Sequence, residues 1–440
     1  MVGMQKIIYL ESYGCSANQN NAEIISGMLE RKGFIVVKNP DIKADIAIIN
    51  TCIVKGPTMQ RMVFRIKELA KKYSRLIVCG CFVDYAYERI KKLVKESNKK
   101  CLLSLVGVKR ITEINNSINK LLENQEINFI DIKSEVKLNK PKQSFNKIIG
   151  ITQISEGCIG NCNYCAVKLA KGFLFSYPKK EIIQNVINDL ASGCKEIWLT
   201  SQDNAIYGFD RKKQELPGLL NEILKLKNRF FLRVGMMNPS SLKNILNEMV
   251  KLYKDKKMFK FLHIPVQSGS DSVLKDMNRP YKIRDFVEII SEFRKEFPEI
   301  TISTDIIVGY PTETQQDFDK SLALIKLIQP DIVNLSRFWP MPRTKAAELK
   351  PLNKDIILER SKIMKNLIDE IAVEKNKKFI GREFKILIDE KSTRGNLIGR
   401  NENYKQILLP LNQKNVKIGN KVKVRIVDAT KNDLRGRIID

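Results

Sequence analysis

The stretch ISEGCIGNCNYCAVKLAKG, residues 154–172, carries three cysteines in a C-x3-C-x2-C array. Cys158, Cys162 and Cys165 are close enough in sequence for their thiolates to converge on one metal centre, and glycines inside the loop let the backbone fold back on itself. Iron–sulfur clusters usually take four cysteines. A loop with three therefore predicts a cluster with one open iron that binds a small molecule, as catalytic zinc sites keep one open position.

The loop directly follows the first of six predicted strands, which alternate with helices. Six βα units are too few for a complete eight-unit barrel, which takes about 250 residues, so we expect a partial parallel barrel followed by a long helix. The active site of such a barrel lies at the carboxyl ends of its strands, where the cysteine loop begins. The strands are expected at Ile148–Glu156, Glu196–Gln202, Phe231–Met237, Phe261–Gln267, Thr301–Val308 and Asp331–Phe338.

Polar side chains lie at or near the ends of the other predicted strands of this barrel. Gln202, Arg233, Gln267 and Asp305 are among them, and any one alone would be an ordinary loop residue. Their shared placement around one rim makes the group a candidate part of the active site.

The N-terminal third also alternates strands with amphipathic helices. Strands are expected at Lys6–Gly14, Ala44–Thr51 and Arg75–Gly80, which predicts a small doubly wound parallel α/β domain. At or just past the end of each strand, at the edge where open parallel sheets bind ligands, stands one cysteine of a set: Cys15, Cys52 and Cys81. We expect these three to meet as a second three-thiolate site. Three other cysteines are interpreted as structural: Cys79, Cys101 and Cys194.

The C-terminal part of the chain is strongly basic. The formal net charge is +28, and residues 376–440 carry 16 Lys and Arg against 7 Asp and Glu, whereas residues 148–375 carry 35 against 28. Short strands with turn residues between them predict a small antiparallel barrel. A basic end on a nearly balanced middle favours a polyanionic partner, most simply nucleic acid. The cations expected on the outside are Lys385, Arg394, Arg400, Lys405, Lys421, Lys423, Arg425, Arg435 and Arg437.

The fold class is therefore α/β, with three domains. An N-terminal parallel α/β domain is expected over residues 1–132, a Lys-rich linker over 133–147, the partial barrel with its trailing helix over 148–375, and the small β-barrel over 376–440. No charge-free apolar run approaches the roughly 20 residues of a membrane span, and the N-terminus lacks the pattern of a signal peptide. A cytoplasmic protein is expected, with its cysteines as thiols or metal ligands rather than disulfides.

The motifs resemble those of one family. The C-x3-C-x2-C loop at the start of a partial βα barrel is the signature of radical S-adenosylmethionine (SAM) enzymes, and SYGCSANQN, INTCIVK and VCGCF resemble the N-terminal cysteine motifs of the methylthiotransferases. The C-terminal barrel is similar to their RNA-binding TRAM domain. LTSQDNAIYG, FLRVGMMNP, HIPVQSGSDSVLKDMNRPY and STDIIVGYPTET are most similar to the archaeal and eukaryotic subgroup that modifies N6-threonylcarbamoyladenosine at tRNA position 37, beside the anticodon.

The resemblance implies two [4Fe-4S] clusters and SAM as cofactors. The cluster on Cys158, Cys162 and Cys165 would bind SAM and generate a 5′-deoxyadenosyl radical that removes the hydrogen at C2 of the adenine. The cluster on the three N-terminal cysteines would hold the sulfur donor, and a second SAM would supply the methyl group. An external one-electron reductant is required. The partner would be the anticodon loop of a tRNA rather than DNA or a membrane, and the polar rim residues named above would hold SAM or substrate.

Other substrates and one other class stay open at this point. The same chemistry acts on isopentenyladenosine in tRNA or on an aspartate of a ribosomal protein, and a non-catalytic iron–sulfur RNA-binding protein would share the cysteines and the basic tail. Three residues depart from the family's motifs. Thr312 stands for a glycine in the segment GYPTET, and Arg343 and Lys345 replace Gly and Pro in MPRTK, all on the predicted rim.

Overall fold

The chain is described by a computed structural model over residues 5–131, 134–411 and 416–439. Its N-terminal domain is one six-stranded parallel sheet in the order β2-β1-β3-β4-β5-β6. The strands are β1 (Ile7–Ser12), β2 (Ile35–Val37), β3 (Ile46–Thr51), β4 (Arg75–Gly80), β5 (Leu102–Val106) and β6 (Asn128–Phe129). The helices are α1 (Ser16–Arg31), α2 (Gly56–Lys72), α3 (Cys81–Ser97) and α4 (Ile114–Leu122).

Apolar periodicity explains how the sheet is covered. Buried residues of α2 recur at Met59, Met62, Ile66 and Leu69, a spacing that places them on one helix face. This face packs with one side of the sheet in an apolar core, while α1 and α4 contribute to a second core on the other side. The sequence predicted β1, β3 and β4 with the helices between them. The other three strands, β2, β5 and β6, were not predicted and extend the sheet at its two edges.

The central domain contains six parallel strands, as the sequence predicted. They form two three-stranded sheets, β11-β10-β7 and β12-β13-β14, and an isolated parallel bridge joins Leu232 of one to Met258 beside the other. The strands are β7 (Ile149–Gln153), β10 (Glu196–Thr200), β11 (Phe231–Val234), β12 (Phe261–His263), β13 (Thr301–Val308) and β14 (Ile332–Arg337), and the short pair is β8 (Ser155–Glu156) with β9 (Phe175–Ser176).

Helices cover the outside of this partial barrel. Two of them, α8 (Pro239–Lys243) and α9 (Leu246–Leu252), are separated at Ile245, whose φ/ψ is not helical. The helices are α5 (Val167–Lys171), α6 (Lys179–Ala191), α7 (Leu216–Leu224), α8 (Pro239–Lys243), α9 (Leu246–Leu252), α10 (Asp271–Asp276), α11 (Ile283–Glu296) and α12 (Gln315–Ile328). Among the described helices, none has the length and apolar character that crossing a membrane requires.

The long helix α13 (Lys354–Lys377) leads into a closed five-stranded barrel. One strand pair, β17 with β19, is parallel, so the predicted antiparallel barrel is antiparallel except there. The strands are β15 (Glu383–Lys391), β16 (Leu397–Arg400), β17 (Gln406–Leu408), β18 (Lys421–Ala429) and β19 (Leu434–Ile439).

The small barrel docks at the amino ends of the central strands. Lys195, which precedes β10, donates to the carbonyl of Gly419 at 2.6 Å, and the backbone N–H of Lys260 donates to the carbonyl of Glu402 at 2.8 Å. The carboxyl ends of the central strands are at the opposite end of the barrel. The basic C-terminal barrel therefore leaves the predicted rim of the active site uncovered.

The described part of the predicted linker, residues 134–147, is packed between domains. Lys142 lies 3.1 Å from Asp189 of α6 and 3.7 Å from Glu23 of α1. Gly27 of α1 has no room for a side chain, since an added Cβ would be 2.4 Å from the backbone nitrogen of Lys142. The segment thus joins the two domains through buried contacts. Residues 132 and 133, where the boundary was predicted, lie outside the described residues.

Candidate active site

Three cysteines stand at the carboxyl ends of three neighbouring strands of the N-terminal sheet. Cys15 follows β1 and caps α1, Cys52 follows β3, and Cys81 follows β4 as the first residue of α3. Because β1, β3 and β4 are adjacent and parallel, the topology brings these cysteines to one edge, as predicted. We call them the N-terminal trio. Cys15 is exposed, whereas Cys52 and Cys81 are buried.

Asn18 links the three loops that carry this trio. Its amide nitrogen donates to the carbonyls of Tyr13 and Thr51, each at 2.9 Å, and its oxygen lies 3.8 Å from the sulfur of Cys81. Gly14 has a φ of +119°, and an added Cβ there would lie 2.7 Å from Asn18 Nδ2 and 2.9 Å from Cys52 Cβ. The motif SYGC therefore needs its glycine for both conformation and space.

The central trio, Cys158, Cys162 and Cys165, lies on the loop after β8 at the carboxyl end of the partial barrel. The backbone N–H of Gly160 donates to Cys158 Sγ at 3.3 Å. A Cβ added to Gly160 would lie 3.4 Å from the sulfur of Cys158 and 3.8 Å from that of Cys162. The loop thus wraps tightly around its own sulfur atoms.

Arg279 supplies a charged donor to this loop. Its Nη1 donates to Cys162 Sγ at 3.2 Å, and its Nη2 donates to the side chain of Asn238. Asn238 is held in turn by Asp203, a buried carboxylate that accepts from its amide at 2.9 Å. Arg279 is only 9% exposed, and these hydrogen bonds orient its guanidinium toward the sulfur of Cys162.

These surroundings fit an anionic iron–sulfur cluster at each trio. Backbone N–H groups and a buried guanidinium stabilise negative charge on thiolates. Within the described residues, no three His, Cys, Asp or Glu side chains converge closely enough to hold a single metal ion. In neither trio are the three cysteines arranged around a single ion. In a cluster each cysteine binds a different iron, so a cluster does not require convergence on one ion.

The two trios are joined by one helix contact. Helix α5 begins two residues after Cys165 and packs against α3, whose first residue is Cys81. Ala166 and Ala170 share one apolar core with Cys81. The carboxyl edge of the N-terminal sheet and the rim of the partial barrel are therefore neighbours, and the two candidate cluster sites belong to one active-site region.

A buried charge triad, Lys137, Glu156 and Lys171, lies in this joint. Glu156 immediately precedes the cysteine loop, and its two oxygens lie 2.9 Å from Lys171 Nζ and 2.8 Å from Lys137 Nζ. Each of the three side chains is at most 2% exposed. Burial alone would raise the pKa of Glu156, but the two ammonium groups outweigh it and hold that pKa at about 2.

The triad carries one excess positive charge beside the N-terminal trio. Burial alone would lower the pKa of Lys171, but Glu156 and the thiols of Cys81 and Cys15 outweigh it and raise that pKa. Burial raises the pKa of the Cys81 thiol to about 12, and Lys171 opposes this rise. A buried cation at this position favours the thiolate form that binds iron.

Three of the predicted rim residues lie around the carboxyl end of the barrel. Gln202 accepts a hydrogen bond from the backbone N–H of Gly157 at 2.8 Å and so fixes the start of the cysteine loop. Asp305 lies 3.2 Å from His263 Nε2 and accepts from Asn334 at 2.7 Å. Burial raises the pKa of Asp305, but these bonds outweigh it and leave that pKa below its usual range.

Gln267 is the third of these rim residues. It has a φ of +70°, in the left-handed region, and its backbone bonds to Asp305 and Ile307 on β13. A non-glycine residue in this region is strained, and such positions concentrate at functional sites.

Arg233 is placed differently from the other three. Its guanidinium lies 4.8, 5.0 and 5.2 Å from the ring centroids of Trp198, Phe261 and Tyr404, the last of which belongs to the C-terminal barrel. The planar, delocalised guanidinium suits such an aromatic box. Arg233 therefore connects the two barrels, and this position does not favour the predicted contact with SAM.

Comparison with known proteins gives three matched regions. Residues 7–101 match the uncharacterized protein family UPF0004, residues 152–325 match the radical SAM superfamily, and residues 377–439 match the TRAM domain. The chain is 38% identical over 98% of its length to a probable threonylcarbamoyladenosine tRNA methylthiotransferase of Pyrococcus horikoshii, of which 99% is covered. The chain belongs to the threonylcarbamoyladenosine tRNA methylthiotransferase family.

Eukaryotic members of the family are similar over the whole chain as well. The threonylcarbamoyladenosine tRNA methylthiotransferase of Drosophila melanogaster is 32% identical over 100% of the chain, which covers 78% of that protein. The family resemblance inferred from the cysteine motifs is thereby confirmed. Membership of the radical SAM superfamily implies a [4Fe-4S] cluster and SAM.

Solved structures confirm the fold of this methylthiotransferase. A radical SAM methyltransferase, TsrM from Kitasatospora setae, with cobalamin and a [4Fe-4S] cluster bound, aligns with a TM-score of 0.54 at 13% identity, covering 78% of this chain and 77% of that one. A cobalamin-dependent radical SAM enzyme, OxsB, aligns with a TM-score of 0.53 at 12% identity, covering 82% of this chain and 56% of that one.

The departures from the methylthiotransferase motifs have structural explanations. Arg343 has a φ of +66°, the left-handed conformation that the family's glycine adopts easily, and its Nη1 donates to the carbonyl of Tyr85 at 2.7 Å. This contact anchors the segment to the N-terminal domain. Thr312 is exposed and its φ is not positive, so glycine is not required there. Lys345 begins a short 3-10 helix and is exposed.

Sequence reasoning missed three residues of this methylthiotransferase's site: Asn18, Arg279 and Lys171. Each lies inside a quoted motif but carries no spacing signal of its own. Asn18 and Arg279 are polar residues that the structure buries, and Lys171 is a lysine among many in the chain. A lysine or arginine directly after an apolar helical turn is ordinary on a surface, so only its burial reveals a role.

Proposed function

We propose that this protein converts N6-threonylcarbamoyladenosine at tRNA position 37 to its 2-methylthio derivative by radical SAM chemistry in the cytoplasm. The observation that carries the proposal is the joining of two three-cysteine sites through α5 and α3. One site is in the position of a radical SAM loop, and the other is at the carboxyl edge of a second parallel sheet. Generating a radical and delivering sulfur to the same base requires such neighbouring sites.

Two [4Fe-4S] clusters would be held, one by the central trio and one by the N-terminal trio. When bound, they supply radical generation from SAM and a carrier for the sulfur, with electrons from an external one-electron reductant and sulfur from an external donor. The protein's own residues set the environment. Arg279 and the N–H of Gly160 stabilise the central thiolates, Asn18 holds the three N-terminal loops together, and Lys171 balances anionic charge.

The outer face of the C-terminal barrel supports an RNA partner. Lys385 stands directly opposite Lys423, and Arg425 directly opposite Arg437. Glu383 offsets part of this charge, since it forms ion pairs with Lys423 at 2.5 Å and with Arg425 at 2.7 Å. Like charges on opposed residues destabilise a sheet. Binding to phosphates would relieve this repulsion. Two cations expected on this outside face are turned inward instead. Arg400 pairs with Asp389, and Lys405 lies 2.7 Å from Asp331 of the central domain, so both are buried.

The basic face also bears on the alternatives. It favours RNA over an aspartate of a ribosomal protein. The relatives' names favour threonylcarbamoyladenosine over isopentenyladenosine. The hydrogen bonds and buried charges around both trios disfavour a non-catalytic iron–sulfur RNA-binding protein.

The test is an anaerobic reaction of the reconstituted full chain with SAM, reductant, sulfide and tRNA that carries threonylcarbamoyladenosine. We expect 5′-deoxyadenosine and a 2-methylthio nucleoside, both measured by mass spectrometry. Cys158→Ala should abolish both products, whereas Cys81→Ala should keep 5′-deoxyadenosine and lose the nucleoside. Each variant should also lose the iron of one cluster. Absence of 5′-deoxyadenosine from the wild type would contradict the proposal.

Cys101→Ala is the matched control. Cys101 is buried in an apolar core and belongs to neither trio. This variant should retain the iron content and both products of the wild type. If it lost a cluster as Cys81→Ala does, the assignment of ligands would be wrong.

A further inference from the structure

One exposed aromatic side chain lies where the N-terminal domain meets the rim of the partial barrel. Trp339 is 40% exposed, two residues after the end of β14. Its indole lies directly on the backbone of Gly56, the first residue of α2, because an added Cβ there would be 2.3 Å from three of its ring atoms. The ring is thus supported from beneath and open to solvent above.

The segment around this ring is firmly held. Phe338, the preceding residue, is buried in a small core with Tyr164 of the cysteine loop. On the other side, Met341 is buried in the core of the N-terminal domain, and Arg343 bonds to Tyr85. Trp339 is therefore a rigid surface one residue from a side chain that contacts the cysteine loop.

Two cations are next to this contact in the chain. Lys55 precedes Gly56, and Arg337 is the last residue of β14; both are exposed. Neither forms an ion pair within the described residues. An exposed aromatic face with an exposed cation before Gly56 and another two residues before Trp339 is complementary to a nucleotide, since bases stack on aromatic rings and phosphates attract cations.

We propose that Trp339, with Lys55 and Arg337 beside it, is a stacking platform for one splayed-out base of the substrate RNA loop. The inference rests on the proposed function, and it deepens it by identifying where the loop is read. The platform holds a base at the entrance while the two cations bind adjacent phosphates. Unstacked bases of single-stranded loops are the features that proteins recognise in RNA.

Tryptophan fluorescence of the full chain tests this proposal. The chain has two tryptophans, and the other, Trp198, is in the aromatic box against the C-terminal barrel. An anticodon stem-loop RNA with threonylcarbamoyladenosine at position 37 should quench the emission, and a fully paired duplex of equal length should quench it much less. Trp339→Phe should remove the quench and keep most of the affinity. Trp339→Ala should weaken binding roughly 5- to 150-fold, as loss of one stacked base does.

Substitution of the two cations tests their contacts with phosphates. Lys55→Gln and Arg337→Gln should each reduce the slope of log affinity against log salt by about 1. Binding by Trp339→Ala within twofold of the wild type, or equal quenching by duplex, would overturn the platform. If the wild type thiolates the RNA while Trp339→Ala binds normally, only the platform fails. If the wild type neither binds nor thiolates the RNA, the proposed function fails with it.

Discussion

Single residues around the sulfur atoms decide what the cysteine sites can do. A cluster's reduction potential depends on hydrogen bonds to its sulfurs and on nearby charge. Arg279 provides both to the central trio, since its guanidinium donates to Cys162 and remains charged at all relevant pH values. The residue lies 114 positions after Cys165 in the chain. Only the fold brings it to the loop.

Arg279→Met should lower the reduction potential of the central cluster. Donors and positive charge stabilise the reduced, more negative state, so their loss favours the oxidised one. A difference of about 1 kcal/mol corresponds to about 40 mV for one electron. The midpoint is measured by electron paramagnetic resonance in a chain lacking the N-terminal trio. Arg279→Lys keeps the charge and should shift the potential less. Equal midpoints for all three proteins would contradict this role.

Glu156 is a second residue whose burial predicts a measurable effect. Its pKa is about 2 in the folded protein, below the ordinary value of 4.5. A depressed pKa contributes stability above the ordinary value that is lost as pH falls toward 2. Glu156→Gln should therefore cost about 3–5 kcal/mol at pH 7, because it leaves two buried ammonium groups without a counter-ion. The cost should shrink between pH 4.5 and 2.

Urea unfolding across this pH range measures the difference. Glu222→Gln is the control, since Glu222 forms a surface ion pair with Lys225 at 3.0 Å. Surface pairs contribute about 0–1 kcal/mol. Equal losses for the two variants at pH 7 would mean that the buried triad contributes no more than a surface pair.

Among the elements, helix α1 is held by its neighbours at two places along its length. It carries Asn18 at one end and packs against residues 141 and 142 further along. The described part of the predicted linker is therefore part of the domain interface. A helix that positions the N-terminal trio is thus fixed to the central domain through Gly27.

Gly27→Ala should destabilise the protein although alanine is the better helix former. An added Cβ meets the backbone of Lys142 at 2.4 Å, and overpacking of this kind costs about 1–3 kcal/mol. Gly218→Ala in α7 is the matched change, because its Cβ would meet only Lys179 Nζ at 3.7 Å. It should be neutral or stabilise by up to about 1 kcal/mol. Thermal unfolding of both variants measures this, and a stabilised Gly27→Ala would contradict the interface.

At the scale of the whole molecule, the two ends of the central barrel have different roles. The N-terminal domain meets the carboxyl end, where the cysteine loop lies, and the basic barrel docks at the amino end. The C-terminal barrel is joined by the buried side chains of Glu196, Asp389 and Arg400 and by the half-buried Tyr404. Removing that barrel would expose these groups, so truncation would test folding as well as binding. Surface substitutions are the cleaner test.

Lys385→Gln combined with Arg437→Gln should weaken tRNA binding and reduce its salt slope by about 2, as two phosphate contacts predict. Both side chains are exposed on the face where like charges oppose each other. The free energy of unfolding should stay equal or rise, because repulsion is removed. The control replaces Lys251 and Lys256, two exposed cations of the central domain, with glutamine, which changes the net charge by the same amount. It should alter the slope much less, and equal slopes would contradict an RNA-binding face.

Patterns among neighbouring residues were sufficient to predict most of the architecture. Apolar periodicity predicted the six central strands and three strands of the N-terminal sheet, because alternation and helical spacing are properties of neighbouring residues. Strand ends then predicted the positions of all six cysteines at two carboxyl edges. Strands β2, β5 and β6 at the edges of the N-terminal sheet and the parallel pairing of β17 with β19 were missed. Strands β2 and β6 have only three and two residues, which is too short for a periodic pattern to show.

What the sequence by itself determined is the six central strands, three strands of the N-terminal sheet, the two cysteine trios, the basic C-terminal barrel and the family. Only the tertiary structure decided which other residues belong to the site. It assigned Arg279 to Cys162, turned Arg233 and Arg400 toward the joint between barrels, and buried the charge triad beside Cys81. The physical reason is that the role of a polar side chain depends on burial and on partners far away in sequence, which no local pattern records.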